Sequence, residues 1–370
     1  MKKVRVALIA GKMVGGGVES LLLEIIKYID KETFVIDLLV DEDSKIVPEK
    51  EIKRAGVRLI YIPPYQKIIR YLFALKKIFS ENKYDIVHAN VSSINVFSLI
   101  IAKSSGVPIR ISHNHNLISP NAGVLKNSLK RFFALFSNMG PNFRVAPTNE
   151  TGKWLFRNKD FFVVRNGVET KKFLFEPNDR ELIRKSLNLK DEFLIGSFGR
   201  MITSKNILFI LKVIEKVILE GYNIKLLLIG NGPEEKKLKL HVLKNQNLKD
   251  KVIFLDNKKD IYKYYSALDL YVFPSTAEAF GMTAVEAQIN GLECMVSKGV
   301  PNEARVIDTL FKKQRDYSVN KWAEFITNRN QTFDSLKRRS LSFEAGKKAF
   351  SAEKMVEEIE GIYRDAIEKN

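Results

Sequence analysis

The sequence predicts an α/β protein with two doubly wound parallel-sheet domains that face a central cleft. Short apolar runs alternate with longer amphipathic stretches, which is typical of strands joined by crossover helices. This alternation stops in a polar segment near the middle of the chain and then begins again. A length of 370 residues also fits two domains. Because ligands of such folds bind beyond the carboxyl ends of the strands, functional residues are expected at those ends.

The first half of the chain contains a series of predicted strands that starts at the N-terminus. The basic start and its apolar run resemble a signal peptide, but the run is short and ends in a glycine turn, so we interpret it as a buried strand. The predicted strands are Val4–Ala10, Val35–Val40, Arg58–Ile62, Asp85–His88, Ile109–Ser112 and Phe143–Ala146, with helices that include Val18–Ile29 and Ile68–Ser80. Residues 1–170 are therefore assigned to an N-terminal domain.

The second half repeats the pattern after the polar, proline-containing segment Glu169–Asp191. Its predicted strands are Leu194–Phe198, Lys225–Ile229, Val252–Leu255, Leu270–Val272 and Cys294–Val296, and its helices are Ile207–Glu220, Glu234–Asn245 and Met282–Asn290. We assign 171–191 to a linker and 192–350 to a C-terminal domain. In the remaining stretch, 351–370, Met355, Ile359, Tyr363 and Ile367 recur at every fourth position and predict an amphipathic helix.

Composition and charge limit the classes of function that the chain could have. Hydrophobic residues make up 45% of the chain, which provides an ample core, and the single cysteine, Cys294, excludes an internal disulfide and suits a reducing cytoplasm. No apolar run reaches the ~18 residues of a membrane-spanning helix. The net charge is +18, and no acidic residue occurs between Asp85 and Glu150. That basic stretch holds Lys103, Arg110, Lys126, Lys130, Arg131 and Arg144.

Such a basic region favours an anionic partner, which could be a nucleic acid, an acidic membrane surface or the phosphates of a ligand. The alternative is a solvated basic surface that aids solubility. Nucleic acid is disfavoured because the sequence contains no recognised module and no aromatic stacking platform.

A glycine-rich loop follows the first predicted strand. In Gly15-Gly-Gly-Val-Glu19, glycines before a helix would let backbone N–H groups approach a phosphate. The loop matches neither a dinucleotide-binding fingerprint nor a P-loop, and a plain tight turn is the alternative.

Three of the four histidines fall at the ends of predicted N-domain strands. These are His88, His113 and His115, whereas His241 lies within a predicted surface helix. Zinc is disfavoured because further soft ligands are missing nearby. The strand-end position instead indicates a role at the site, with a structural histidine as the alternative.

In the second half, the loop Gly199–Asn206 follows a strand and carries two cations. Arg200 and Lys205 could both reach one diphosphate and stabilise its charge as it leaves. The alternative is a loop at the start of a helix with incidental cations.

The stretch STAEAFGMTAVEA, residues 275–287, holds two carboxylates around a helix start. Gly281 permits an unusual backbone geometry at that start, where the first N–H groups have no helical partner. Because the helix is otherwise apolar it should be buried, and buried glutamates need hydrogen-bond donors. Sugar hydroxyls would supply them to Glu278 and Glu286. The alternative is a first-turn acid that favours the helix dipole and a surface charge.

Together, EAFGMTAVE, the GR…K loop, the NGV of VVRNGVE and the early GGxE resemble the family 4 retaining glycosyltransferases. The resemblance covers nearly the whole chain. It implies the GT-B fold, in which two Rossmann-like domains face a cleft and the closing helix packs back on the N-terminal domain. Further segments, VEAQINGLECMVSKGVPNEA and DIYKYYSALDLYVFPS, are similar to members that build bacterial capsular and exopolysaccharides.

The resemblance implies roles for the residues above. Glu286 would hold the ribose of a nucleotide, and Glu278 would contact the donor sugar. The backbone amides of Phe280, Gly281 and Met282 would bind sugar and phosphate. Arg200 and Lys205 would neutralise the diphosphate, with Gly16 and Gly17 approaching it from the N-terminal domain and Asn257 and Lys258 lying near the base.

The resemblance also implies a histidine near the reacting sugar. The usual His-Asp pair is replaced here by His113-Asn-His-Asn116. We favour His115, because His115-Asn116 is the nearest match, and keep His113 as the alternate.

The implied reaction is retaining, metal-independent transfer from a nucleotide-diphosphate sugar, with UDP as the expected nucleotide and no cofactor. The acceptor, a glycan or a lipid-diphosphate-linked glycan, would bind the N-terminal domain. Ile68–Phe79 and Val124–Phe136 mix aromatics, leucines and cations, so they could face an anionic membrane at the inner side of the cell membrane. Ordinary core helices are the alternative.

Two other functions compete with transfer. A UDP-sugar 2-epimerase shares the architecture and needs no acceptor. A non-catalytic nucleotide-sugar-binding protein is disfavoured by the intact set Arg200, Lys205, Glu278 and Glu286.

Overall fold

The computed structural model describes residues 3–117, 124–329 and 333–369. These residues form two compact units. Of the described residues, the first unit contains 3–117, 124–167 and 350–369, and the second contains 168–329 and 333–349. Each unit is built on a parallel sheet, so the predicted α/β class with two doubly wound sheets is confirmed.

The strands are numbered along the chain. They are β1 Val4–Gly11, β2 Phe34–Asp41, β3 Arg58–Ile62, β4 Ile86–Ala89, β5 Ile109–His113, β6 Phe143–Ala146, β7 Phe162–Val163, β8 Phe193–Phe198, β9 Ile224–Ile229, β10 Val252–Leu255, β11 Leu270–Phe273, β12 Cys294–Val296 and β13 Phe311–Lys313. The first sheet has the order β3-β2-β1-β4-β5-β6-β7, and the second has the order β10-β9-β8-β11-β12-β13.

The helices are numbered in the same way. They are α1 Gly17–Tyr28, α2 Glu49–Arg54, α3 Ile68–Asn82, α4 Asn95–Ser104, α5 Val124–Leu135, α6 Asn149–Phe156, α7 Pro177–Ser186, α8 Ile207–Leu219, α9 Glu235–Lys244, α10 Ile261–Ala267, α11 Met282–Ile289, α12 Val319–Thr327, α13 Ser335–Lys348 and α14 Ala352–Glu368. No helix in the described ranges combines the length and the apolar composition that crossing a bilayer requires.

In the first unit, both faces of the sheet are covered. Along β1, Val6 and Leu8 belong to one apolar core, while Ala7 and Ile9 belong to another on the opposite face. This alternation follows from the two-residue period of a strand. The sheet order reverses between β1 and β4, and β4 aligns His88 with Leu8 of β1. The end of β4 therefore lies where ligands of such sheets bind.

The C-terminal helix α14 belongs to the first unit and packs against α1. Its apolar stripe places Met355, Ile359 and Tyr363 in the core, and Ile367 at its end is 38% exposed. Tyr363 packs edge-on against Phe34 of β2, with ring centroids 5.5 Å apart.

The second unit has the same layered plan. Leu194 and Phe198 of β8 face one apolar core, and Phe193 and Ile195 face the other. β8 lies between β9 and β11 at the centre of the sheet. Loops that leave these three neighbouring strands therefore emerge at one edge.

The segment 171–191 differs from the predicted linker. It forms a 3-10 turn, Thr170–Phe173, and helix α7, and it belongs to the second unit. Arg180 and Arg184 of α7 bind Asp269 at 2.5 and 3.1 Å. The EPNDRE sequence that suggested a turn is a helix start, with Pro177 in the first turn and an acid beside the positive helix end.

The strands β7 and β13 were absent from the sequence prediction. They contain only two and three residues, so neither carries a readable alternation of apolar and polar side chains. Both lie at the edge of their sheet.

Candidate active site

Two loops at the carboxyl edge of the second sheet carry five of the predicted site residues, Arg200, Lys205, Glu278, Phe280 and Gly281. They follow β8 and β11, and the neighbouring loop follows β9. The loop after β8 starts at Gly199 with φ 134° and contains a 3-10 turn, Thr203–Lys205. The β9 loop supports it, because the Met201 N–H donates to the Asn231 carbonyl at 2.9 Å and the Glu234 N–H donates to the Met201 carbonyl at 3.1 Å.

The two cations of the β8 loop differ in their surroundings. Arg200 is exposed, and its guanidinium has no polar partner within the described part of the chain. Lys205 is 20% exposed and forms an ion pair with Glu278, with 2.7 Å between Nζ and Oε1. Its Nζ also lies 4.5 Å from the ring centroid of Phe273. Two predicted site residues are thus in direct contact, and a free cation stands beside them.

The start of α11 presents unpaired backbone donors. The N–H groups of Phe280, Gly281 and Met282 donate to no acceptor among the described residues. Gly281 has φ 99°, and a Cβ there would lie 3.2 Å from Val300 Cγ1. Only glycine fits this turn without strain. The unpaired N–H groups and the positive helix end favour an anion or a hydroxyl oxygen.

Glu286 lies on α11, and its carboxylate accepts a hydrogen bond from the Tyr265 hydroxyl at 2.6 Å. Burial raises the pKa of Glu286, an effect that this hydrogen bond opposes. Tyr265 of α10 is fully buried. One oxygen of Glu286 is therefore oriented by the protein, and the carboxylate retains the capacity to accept further bonds. Sequence reasoning missed Tyr265, although it lies in the quoted DIYKYYSALDLY segment.

Asn257 and Lys258 are exposed after β10. The Asn257 N–H donates to Asn231 Oδ1 at 2.9 Å, and Asn231 Nδ2 donates to Asp256 Oδ1 at 3.2 Å. Within the described ranges, no hydrogen bond or ion pair joins Asn257 or Lys258 to the residues that line the β8 and β11 loops.

In the first unit, the glycine loop after β1 is closed by Glu19. The Glu19 carboxylate accepts the N–H groups of Val14 at 2.8 Å, of Gly15, and of Gly16 at 2.9 Å. The Gly16 amide is therefore engaged, which differs from the expectation that it faces a ligand. At Gly17 a Cβ would meet no atom within 4 Å, so the protein itself does not require glycine there and the space before it is open.

The predicted histidines form one buried cluster in the first unit. His88 Nε2 lies 3.2 Å from His113 Nδ1, and the rings of His113 and His115 have centroids 3.9 Å apart. His115 Nε2 lies 2.9 Å from Asn90 Oδ1. Burial lowers the pKa of His88 and of His115 to about 3, and it lowers the pKa of His113 well below its ordinary value. All three rings are therefore neutral near pH 7.

Two ring nitrogens of this cluster, His113 Nε2 and His115 Nδ1, are buried without a hydrogen-bond partner in the described residues. Buried polar atoms of this kind are rare in native proteins, and each calls for an explanation. A ligand with hydroxyl groups would satisfy both. No group of three or more His, Cys, Asp or Glu side chains in the described residues is arranged to hold a metal ion.

Sequence reasoning missed the neighbours of the histidines, Asn90 and Tyr363. His88 Nδ1 lies 2.6 Å from the Tyr363 hydroxyl. Asn90 stands two residues after His88 in DIVHAN, so its position was readable. Tyr363 is one member of an apolar stripe, and nothing in the sequence distinguishes it from the core residues around it.

Two family models match the chain. "Glycosyltransferase Family 4" matches residues 15–172, and "Glycosyl transferases group 1" matches residues 179–325. Together they cover every strand of both sheets except β1, which precedes the first matched residue.

Known proteins from several bacteria are similar to the chain. It is 24% identical to EpsF of Bacillus subtilis (strain 168), over 99% of this chain and 98% of EpsF. The name of EpsF describes it as a glycosyltransferase. It is 26% identical to the Escherichia coli UDP-Gal:alpha-D-GlcNAc-diphosphoundecaprenol alpha-1,3-galactosyltransferase, over 80% of this chain and 79% of that one. The solved structure of Anabaena Alr3699/HepE in complex with UDP and glucose has a TM-score of 0.80 at 18% identity, covering 98% of this chain and 99% of that chain.

Proposed function

The chain belongs to glycosyltransferase family 4 and has the GT-B fold, and we propose that it transfers a sugar from a UDP-sugar to a lipid-diphosphate-linked glycan in bacterial polysaccharide synthesis. It is a glycosyltransferase by family. The choice of UDP and of the acceptor is the proposal. It is supported by the name of the E. coli galactosyltransferase and by the UDP complex of the Anabaena protein.

One observation carries the proposed donor site. Free backbone donors at the start of α11 stand beside the Lys205–Glu278 pair, whose Nζ and Oε1 are 2.7 Å apart, and the unpaired Arg200 guanidinium. This combination supplies N–H groups and two cations for a diphosphate and a carboxylate for a sugar hydroxyl. In this proposal Glu278 contacts the sugar, and Glu286 accepts hydrogen bonds from the ribose hydroxyls.

We assign to Arg200 and Lys205 the stabilisation of the diphosphate leaving group. As the bond between the sugar and the diphosphate breaks, negative charge develops on the diphosphate, and two prepositioned cations stabilise it. Lys205 has three N–H donors and uses one for Glu278, so it can bind phosphate without releasing the carboxylate. This division of roles needs neither a metal nor a cofactor, and the reaction is proposed to proceed with retention.

In the first unit, the open space before Gly17 supports a close approach of ligand phosphate. We assign His113 and His115 to hydroxyl groups of the sugar, because each has a buried ring nitrogen without a described protein partner. Asn257 and Lys258 remain proposed contacts of the base.

A membrane contact is proposed for an apolar surface patch on α3 and α5. The patch consists of Ile69, Phe73, Leu129, Phe132 and Leu135, with exposures from 52% to 74%. The two helices flank α4, since α3 packs on α4 and Phe97 of α4 meets Phe133 of α5 with centroids 5.2 Å apart.

Exposed cations lie on the same helices and on α4. They are Arg70 and Lys77 on α3, Lys103 on α4 and Arg131 on α5. Clusters of exposed aromatics and cations favour the interface of an anionic bilayer. The remaining face of α3 buries Tyr71, Leu75 and Phe79, so this helix serves the core as well. The side chain of Lys126, part of the basic stretch, lies outside the described residues.

Flotation with anionic and neutral vesicles tests the membrane contact. Binding to anionic vesicles should fall in the variant Phe73→Ser/Phe132→Ser and persist in Phe343→Ser, which alters an aromatic of the second unit that is 59% exposed. Equal flotation of the wild type and both variants, or no flotation at physiological salt, would refute it.

The function itself is tested by incubating the full chain with UDP-sugars, a polyprenyl-diphosphate-linked sugar and EDTA. We expect transfer with the anomeric configuration of the donor retained, which NMR of the product reads directly. Conversion of UDP-N-acetylglucosamine to its manno epimer without an acceptor would instead identify the epimerase alternative. Absence of both reactions, with binding intact, would support the non-catalytic alternative.

A further inference from the structure

A chain of hydrogen bonds links the last helix to the histidine cluster. The Tyr363 hydroxyl lies 2.6 Å from His88 Nδ1, and His88 Nε2 lies 3.2 Å from His113 Nδ1. The two histidine rings are stacked, with centroids 5.3 Å apart and planes 14° apart. All three residues belong to the first unit and none is exposed to solvent. Tyr363, which is far from His113 along the chain, is thus connected to it through the single ring of His88.

The direction of this chain follows from the donors available. Burial raises the pKa of Tyr363, so its hydroxyl keeps its proton. Among the described residues His88 is the partner of that hydroxyl, so the O–H donates to His88 Nδ1. A neutral His88 then carries its proton on Nε2 and donates to His113 Nδ1. A neutral His113 in turn carries its proton on Nε2.

The other arm of the cluster is fixed by Asn90. Its Nδ2 donates to the carbonyls of Ile9 and His88, both at 3.3 Å, which turns Oδ1 toward His115. His115 Nε2 must therefore donate to that oxygen at 2.9 Å, and the lone pair of His115 lies on Nδ1.

We propose that Tyr363 is a positioning residue that sets the tautomer of His113 through His88, so that His113 presents an N–H donor and His115 a lone pair to the ligand. A hydroxyl group donates one hydrogen bond and accepts others, so it matches a donor on one ring and an acceptor on the other, and the centroids of these two rings are 3.9 Å apart. This assigns different tasks to the two histidines. It rests on the proposed function only in identifying that hydroxyl as one of a sugar.

The first test needs no substrate. Long-range ¹H–¹⁵N NMR of the histidine rings distinguishes protonated from bare ring nitrogens. The wild type should show His113 with the proton on Nε2 and His115 with Nδ1 bare. Tyr363→Phe removes the hydroxyl and keeps the ring that packs on Phe34, and it should shift the His88 and His113 signals while leaving those of His115 in place.

Tyr71→Phe is the matched control. Tyr71 is also a buried tyrosine of the first unit, and its hydroxyl bonds Ser98 rather than a histidine. Its loss should leave all ring signals unchanged. Ring signals that are identical in the wild type and in Tyr363→Phe would overturn the proposal, whatever reaction the protein catalyses.

The second test is a double-mutant cycle on transfer. Tyr363→Phe should lower kcat/KM about tenfold, the effect of one oriented hydrogen bond, and leave UDP affinity unchanged. In the background of His113→Ala, the same change should have no further effect. Additive losses in the double variant would show a merely structural role. Absence of transfer in the wild type would refute the proposed function, and the NMR result would still decide the role of Tyr363.

Discussion

The two units hold candidate ligand groups of opposite character. The second unit presents charge: Lys205 and Glu278 are paired, Arg200 is free of polar partners in the described chain, and Glu286 is held by Tyr265. The first unit presents a buried and neutral histidine cluster whose partners are uncharged. The second set can stabilise a change of charge, whereas the first can only orient hydrogen bonds. This contrast fits a division between leaving-group chemistry and sugar recognition.

The largest effect should come from removing a cation of the charged set. Lys205→Ala is expected to lower kcat by about 10²–10³, because the developing charge on the diphosphate loses a prepositioned partner. Steady-state kinetics with a circular dichroism check of folding measures it. The double variant Lys205→Ala/Glu278→Gln is the control. It separates the loss of the lysine from the effect of leaving the Glu278 carboxylate without its ion-pair partner. Turnover like that of the wild type in Lys205→Ala would remove the residue from the mechanism.

A fall in pH should affect the stability of the two units differently. Burial lowers the pKa of His88 and His115 to about 3 and that of His113 well below its ordinary value. As the pH falls below about 6.5, the unfolded chain therefore binds protons on these side chains before the folded chain does. Their stabilising contribution is complete above pH 6.5 and is lost as the pH falls. Asp41 has the opposite effect on stability. Burial raises its pKa to about 7, so the folded chain holds a proton that the unfolded chain releases. The three histidines outweigh this carboxyl, so the first unit should lose stability as the pH falls below about 6.5.

In the second unit, the contribution of Glu286 to stability depends on pH in the opposite direction. Its raised pKa contributes stability at low pH that is lost as the pH rises. Trp154 lies in the first unit and Trp322 in the second, so urea unfolding of Trp322→Phe and Trp154→Phe reports each unit separately. Equal weakening of both units between pH 7 and pH 5 would contradict the contrast.

A smaller effect is expected from neutralising Glu286. Glu286→Gln keeps the shape of the side chain and should weaken UDP binding about tenfold, since charge-assisted bonds to the ribose become neutral ones. In the wild type the affinity should fall with decreasing pH at values above those where an exposed glutamate titrates. Calorimetric titration over pH should show this step in the wild type. The same step in Glu286→Gln would assign it to another group.

The smallest expected effect concerns the turn before α11. Gly281→Ala places a Cβ at φ 99° and 3.2 Å from Val300 Cγ1, which should cost about 1 kcal/mol of unfolding free energy and weaken donor binding in parallel. Gly17→Ala is the matched comparison, since its Cβ meets no protein atom. It should leave stability unchanged and impair only ligand binding. Equal thermal unfolding of the two variants would contradict this account.

Much of the fold was readable from local patterns. Four strands were predicted with the bounds that the structure has, because each is a short, largely apolar run bounded by turn residues. They are Arg58–Ile62, Phe143–Ala146, Val252–Leu255 and Cys294–Val296. α7 was missed because a proline and an acid suit both a turn and the first turn of a helix.

The site was readable only in part. Lys205 and Glu278 were both expected near the phosphate and the sugar because each follows a strand of the same sheet. Their ion pair was not predicted. The contacts of Tyr265 with Glu286 and of Tyr363 with His88 could not be derived either, since periodicity identifies a core position but not the polar partner of one hydroxyl. Those partners are set by tertiary packing.

Calorimetric titration of UDP into the wild type, Glu286→Gln and His113→Ala tests the central division most directly. We expect that Glu286→Gln weakens UDP binding, that His113→Ala binds UDP like the wild type, and that His113→Ala has lost sugar transfer. Loss of UDP binding in His113→Ala, with binding intact in Glu286→Gln, would contradict this division of roles.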